Sequence, residues 1–262
     1  MKGYYAAIWT ESLKVRRSAM FWIILLIFVF VAFVTGLLVY LAKHPDLISN
    51  SAVISAKATI IGNADWAAYF GLLNQIVAMI GLIGFGFVAS WVFGREYTDR
   101  TVKDLLALPV SRSKIVMAKF VIVLIWCILL SVIIFVVGIL AGFIFSIEGW
   151  SIKEAIHALR IYTVTSILTI LLCTPLAIFA SLSRGFLLPL GFLILALIMS
   201  QFIGIGTPGI APYFPWSVPA IYNVVASTQD QSLTFVSYLV VFVTSLLGIV
   251  ITIAWWLYAD QK

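Results

Sequence analysis

Nine charged residues lie between Gly94 and Phe120: Arg95, Glu96, Asp99, Arg100, Lys103, Asp104, Arg112, Lys114 and Lys119. The 262-residue chain has 16 Lys and Arg and 10 Asp and Glu, so about a third of its charge occupies a tenth of its length. The chemistry this set can do is ion pairing and hydrogen bonding. Placed between two apolar runs, it equips a loop to meet something in the cytoplasm. Reactive chemistry is not spelled elsewhere. Cys127 and Cys173 sit inside apolar runs and read as small hydrophobes, not as a disulfide or metal pair. There is no His/Asp/Glu/Cys cluster at metal spacing, no Ser–His arrangement and no GxxxxGK[ST] phosphate loop. Work driven by ATP would need a separate nucleotide-binding chain.

The elements that must position these charges are membrane spans. The chain is 63% hydrophobic and 10% charged, with mean hydropathy +1.16, whereas soluble domains carry about 25% charged residues. This is the composition of a polytopic membrane protein with one integral domain, residues 1–262. A net charge of +6 then reports topology and gives no reason to expect nucleic acid. Six apolar runs are long enough to cross a bilayer: Met20–Ala42, Tyr69–Phe93, Ile115–Ile147, Ile161–Leu182, Gly185–Ile205 and Leu233–Tyr258. The first is too long for a cleaved signal peptide and is expected to be retained. The third should tilt or protrude.

Six spans put both termini on one side. With the termini in the cytoplasm, twelve Lys and Arg fall inside and four (Lys43, Lys57, Lys153 and Arg160) outside, as the positive-inside rule requires. Trp22, Trp91, Trp150, Trp255 and Trp256 lie near span ends, where interfacial aromatics belong. Of the external segments, Glu148–Arg160 is expected to form a short surface helix. Thr207–Gln231 carries Pro208, Pro212, Pro215 and Pro219, which bar a long helix and point to a segment lying in the interface or dipping between spans.

No Lys, Arg, Asp, Glu or His lies in the core of a proposed span, which argues against an ion-coupled pump or an intramembrane enzyme. Asn74, Gln75, Thr174 and Gln201 either join helices by hydrogen bonds or line a substrate path. Gly81, Gly84 and Gly86 read as a close-packing face.

Two cytoplasmic pieces are amphipathic. In Tyr4–Ser18, Tyr4, Tyr5, Ile8, Trp9, Ser12 and Val15 recur at helical spacing, with Glu11, Lys14, Arg16 and Arg17 mainly elsewhere. The helix is either a plain anchor on the inner leaflet or also a rest for a partner. After the second span, Val102, Leu105, Leu106 and Leu108 form a short apolar stripe among Asp99, Arg100, Lys103 and Asp104, with Thr98 or Asp99 as N-cap and Pro109 as stop. A simple anchor would not need an apolar stripe facing the cytoplasm, so this piece is read as a docking element.

Together these pieces resemble the permease subunit of an ABC-2 type transporter. Trp9, Glu11, Lys14, Arg17 and Ser18 are similar to the family's elbow helix (residues 1–18). Arg95-Glu96-Tyr97, Thr101, Leu105-Leu106, Pro109-Val110-Ser111-Arg112 and Lys119 are similar to its coupling loop between spans two and three (residues 94–114). Arg100 stands where many members have glycine. The loop most resembles the branch of bacitracin-export and lantibiotic-immunity permeases. The resemblance implies an all-α fold of six spans in the bacterial plasma membrane. It implies a second permease copy, identical or related, and two copies of an ABC ATPase that binds ATP and Mg, with no cofactor on this chain. It assigns ATPase docking to Glu96, Tyr97, Thr101, Lys103, Leu105 and Leu106, with Glu96 and Lys103 as polar contacts. It also implies that the proline-rich stretch, residues 206–232, is an extracellular re-entrant region whose Pro212, Phe214, Pro215, Trp216 and Pro219 shape an outer gate. The expected function is export or clearance of a hydrophobic or amphipathic substrate such as a peptide antibiotic. The alternatives are an ATP-independent carrier or channel, or a peptide-antibiotic sensor or immunity protein that transports nothing.

Overall fold

The computed structural model describes residues 2–44, 65–99, 101, 110–228 and 233–258, and among them it is all helical. The helices are α1 (Lys2–Arg16), α2 (Ala19–Lys43), α3 (Trp66–Thr98), α4 (Arg112–Ile144), α5 (Ile152–Leu171), α6 (Leu176–Ser183), α7 (Leu187–Gly206), α8 (Val218–Thr228) and α9 (Phe235–Tyr258). Six stretches are long and apolar enough to cross a membrane: α2, α3, α4, α5 with α6, α7 and α9. They match the six expected spans, with ends shifted by a few residues. One exception is the start of the fourth. The surface helix expected at Glu148–Arg160 is not separate, because from Ile152 onward it runs without a break into the span.

Local chemistry sets the helix ends. The Ser18 hydroxyl accepts from Met20 N (3.1 Å) and starts α2, and the Asp65 carboxylate accepts from Ala68 N (2.9 Å) and starts α3. Pro175 has no N–H to donate, so the fourth span breaks into α5 and α6 across a tight turn at residues 172–175. The Thr174 hydroxyl bridges that break to α9 through Ser245 O and Ser245 Oγ, both at 3.0 Å. Within α3, Val77–Gly81 form a π-turn, a widening that recurs at functional sites.

In a bilayer, lipid is as apolar as leucine, so spans associate by close packing and hydrogen bonds, not by escape from water. α2 and α1 pack on α4, α3 packs on α6 and α7, and α9 packs on α6 and α4. Gly84 and Gly86 permit close approach, but to different neighbours. A Cβ at Gly84 would collide with Phe28 of α2, and one at Gly86 would lie 2.5 Å from Leu193 of α7. The expected single packing face is therefore two sides of one helix. Interhelical hydroxyl bonds complete the core: Ser131 to Ser166 (2.7 Å), Tyr162 to Ser131 O (2.8 Å) and Tyr69 to Gly138 O (2.8 Å).

The bundle has two ends. α1, the α3–α4 and α6–α7 junctions and the end of α9 lie at the terminal face. At the distal face Lys43 pairs with Glu148 (2.6 Å), Trp66 N donates to Glu148 O (3.1 Å), and the buried Trp66 ring meets Phe70, Phe143 and Trp150.

Candidate functional site

At the terminal face three helices bring five charges together. Lys119, about two turns into α4, is fully buried, and Glu11 of α1 and Glu96 of α3 are each 2% exposed. The Lys119 ammonium has three N–H groups and three acceptors: Glu11 Oε2 (3.0 Å), Glu96 Oε1 (2.9 Å) and Val92 O (3.3 Å). Lys14 spans the same carboxylates from the rim, donating to Glu11 Oε1 (3.1 Å) and Glu96 Oε1 (3.0 Å). The Thr101 hydroxyl donates to Glu96 Oε2 at 2.6 Å. Arg95 adds looser ion pairs to Glu11 (3.8 Å) and Glu96 (3.6 Å) while its guanidinium lies 4.7 Å from the Trp91 ring centroid.

Isolated buried carboxylates would be prohibitively costly. Here each carboxylate oxygen accepts at least one N–H or O–H, and three cations surround two anions. Burial pushes the Glu11 carboxyl up, but the Lys119 and Lys14 ammoniums outweigh it and hold the group below its ordinary value. The cluster therefore clamps the N-terminal helix to the root of the α3–α4 hairpin with charge-assisted bonds.

This arrangement revises the sequence reading in three places. Lys119, expected at the inner interface, is enclosed by protein. Glu96, expected as a polar contact for a partner, turns its carboxylate inward and has its oxygens occupied within the chain. The apolar stripe of α1 divides: Val15 points inward beside Glu11, while Tyr5 and Trp9 remain exposed. Burial of Lys119 was readable. With Val123, Trp126 and Leu130 it follows the i, i+4, i+7, i+11 spacing of one helix face, and those three neighbours are all buried.

The other expected site residues fall around this cluster. Lys14, Arg17, Ser18, Trp91, Arg95, Glu96, Asp99 and Thr101 line a polar cleft of about 360 Å³. Tyr97 is partly buried, edge-on to Trp256 (6.0 Å between centroids) at the end of α9. Arg112 donates to Trp256 O and Leu257 O, both at 3.4 Å, placing a cation at the negative end of α9. Lys103, Leu105 and Leu106 lie outside the described residues, as do Arg100, Val102 and Leu108.

At the distal face the proline-rich segment forms two short 3-10 turns, Ala211–Tyr213 and Pro215–Ser217, before α8. Pro212 and Pro219 are buried, Phe214, Pro215 and Trp216 half-buried. Trp216 packs edge-on to Phe192 of α7 (5.4 Å), and the Ser200 hydroxyl donates to Ser217 Oγ (2.9 Å). α8 folds back against α5 and α3. Beneath it, Gln75, Met79, Ser200, Gln201, Ser217 and Asn223 contribute to a cavity of about 420 Å³. A second, more apolar cavity of about 460 Å³ lies between α2 and α3 and shares Gln75 and Met79 with the first. The shared residues flank and enter the π-turn.

Six helical stretches long and apolar enough to cross a membrane, with a charged junction at one end of the bundle, define a multi-pass membrane protein. Residues 7–201 match the family described as ABC-2 family transporter protein. The chain belongs to that family, and it is a multi-pass transport permease. It is 31% identical over 184 residues to the bacitracin transport permease protein BCRB of Bacillus licheniformis, an overlap of 69% of this chain and 85% of the relative.

Proposed function

We propose that this chain is the membrane subunit of an ATP-driven exporter, working in the bacterial plasma membrane with both termini in the cytoplasm. Two permease copies pair, and each meets a separate ATPase through the loop between α3 and α4. The observation that carries this reading is the buried cluster of Glu11, Lys119 and Glu96 at the root of that loop. Force applied to the loop reaches α1, α3 and α4 together, because the three helices share one ammonium. Tyr97 and Arg112 extend the connection to α9.

The substrate on this reading is hydrophobic or amphipathic, and a peptide antibiotic fits best. The two neighbouring cavities support it: an apolar chamber next to one bearing the amides of Gln75, Gln201 and Asn223 suits a molecule with apolar side chains and a peptide backbone. The kinship with a bacitracin permease favours the same class. The test is Leu105→Asp in cells co-expressing the ATPase. We expect the variant to insert normally, to lose ATPase co-purification and to lose transport. Normal transport with retained ATPase would refute docking through this loop.

A further inference from the structure

The first turns of α5 carry charges that packing does not require. Lys153, His157 and Arg160 follow i, i+4, i+7 spacing and form one stripe. All three are exposed and, among the described residues, have no hydrogen-bond or ion-pair partner. On the opposite side Ala158 and Tyr162 are buried and seat the helix. Beside the basic stripe runs an exposed apolar one, Ile152, Ile156, Leu159 and, further along the span, Ile167. Lys153, Glu154, Ile156, His157 and Arg160 line a common groove of about 410 Å³, in which two permanent cations outnumber one carboxylate.

Position gives this pattern meaning. The fourth span measures 32 residues across α5 and α6, against about 20 needed to cross the bilayer core. Its first ten residues therefore emerge at the headgroup level of the distal face. Basic residues are disfavoured there by the rule that sets topology. Lys43, on the same face, is neutralised by Glu148, whereas Lys153 and Arg160 have no ion-pair partner among the described residues.

We propose that this stripe binds the phosphate-bearing headgroup of an anionic lipid in the distal leaflet, with an acyl chain lying along Ile156, Leu159 and Ile167. Lysine supplies a point charge and arginine a forked donor pair to phosphate oxygens. His157 supplies a further N–H without needing to be charged.

The test titrates the full-length protein, purified in detergent, with phosphatidylglycerol or phosphatidylcholine and reads bound lipid by native mass spectrometry. Wild-type protein should retain phosphatidylglycerol preferentially. Each basic side chain near an anionic headgroup contributes about 1 kcal/mol, so Lys153→Gln with Arg160→Gln should weaken phosphatidylglycerol binding about 25-fold and leave phosphatidylcholine binding unchanged. The exchange Lys153→Glu with Glu154→Lys keeps net charge but moves it around the helix, and it should also lose the preference. Because every altered residue is exposed, thermal stability should not change. An unaltered preference in the double glutamine variant would overturn the proposal. So would an exchange variant that binds like wild type, since net charge alone would then suffice. Equal competition by inorganic phosphate would assign the stripe to a soluble anion instead.

Discussion

Replacing Lys119 with methionine tests the charge cluster most severely. Methionine nearly matches the volume of the lysine stem, so packing around Val92 and Val123 changes little. What disappears is one ammonium that donates to two carboxylates and one carbonyl at 2.9–3.3 Å. Glu11 and Glu96 stay buried, with only Lys14, Arg95 and Thr101 to compensate them. Removing one partner of a buried ion pair costs about 3–5 kcal/mol, mostly through the charge left behind. At about 2–4 °C per kcal/mol for a chain of this size, the unfolding midpoint of the purified protein should drop by roughly 6–20 °C. The origin of the loss is separable. Adding Glu11→Gln to Lys119→Met removes one stranded charge and should recover about half of the drop, although it deletes a further ion pair. Measuring the midpoints of wild type, both single variants and the double by intrinsic tryptophan fluorescence completes the cycle. A drop under 2 °C for Lys119→Met, or a double variant less stable than either single, would refute the view that Lys119 compensates the buried carboxylates.

Other expectations follow from the same geometry. Glu11 is held below its ordinary value of 4.5, so its stabilisation is fully present above that pH and is lost as pH falls through the lowered folded value. Stability should be flat from pH 6 to 8 and fall only in acid, and thermal melts of Glu11→Gln should show a shallower acid limb. A Cβ at Gly94 would lie 2.9 Å from both Gly185 C and Gly185 O. Backbone cannot yield as a side chain can, so Gly94→Val should destabilise by about 1–3 kcal/mol, read as a lowered midpoint with correct insertion. Ser217→Ala removes the acceptor of the Ser200 hydroxyl at 2.9 Å, and interhelical bonds of this kind contribute about 0.6 kcal/mol. Its midpoint should therefore shift by no more than about 3 °C, and a large loss of stability would show that Ser217 holds more than this bond.

Much of the architecture was legible in the sequence because membrane spans are written in long, uninterrupted apolar runs. The six spans, the shared side of the termini in the chain's winding and the interruption of helix by Pro212, Pro215 and Pro219 all follow from such local rules. What was hidden depends on contacts between distant segments. Glu11 and Lys119 are 108 residues apart, and nothing local says that one neutralises the other. The rule that charge belongs at the membrane boundary concerns height alone and does not say whether a charged group faces protein or solvent. The π-turn at Val77–Gly81 was equally silent, since its residues are ordinary helix formers in an apolar run. Pro175 lies inside the run read as one uninterrupted span, Ile161–Leu182, and both the break there and its role as the seat of α9 came only from the fold, where a Cβ at Gly248 would lie 2.7 Å from the Pro175 backbone.

The central claim is that α1 and the base of the α3–α4 hairpin move as one body when the partner ATPase changes state. Spin labels at exposed Tyr5 on α1 and Thr98 at the end of α3 report on it directly. Double electron–electron resonance on the assembled transporter, without nucleotide and with ATP trapped, gives the label-to-label distance in both states. The expected result is an unchanged Tyr5–Thr98 distance alongside a changed distance from Thr98 to Tyr213 at the distal face. A Tyr5–Thr98 distance that shifts on ATP binding would show that the cluster does not hold these helices together, and would contradict the account.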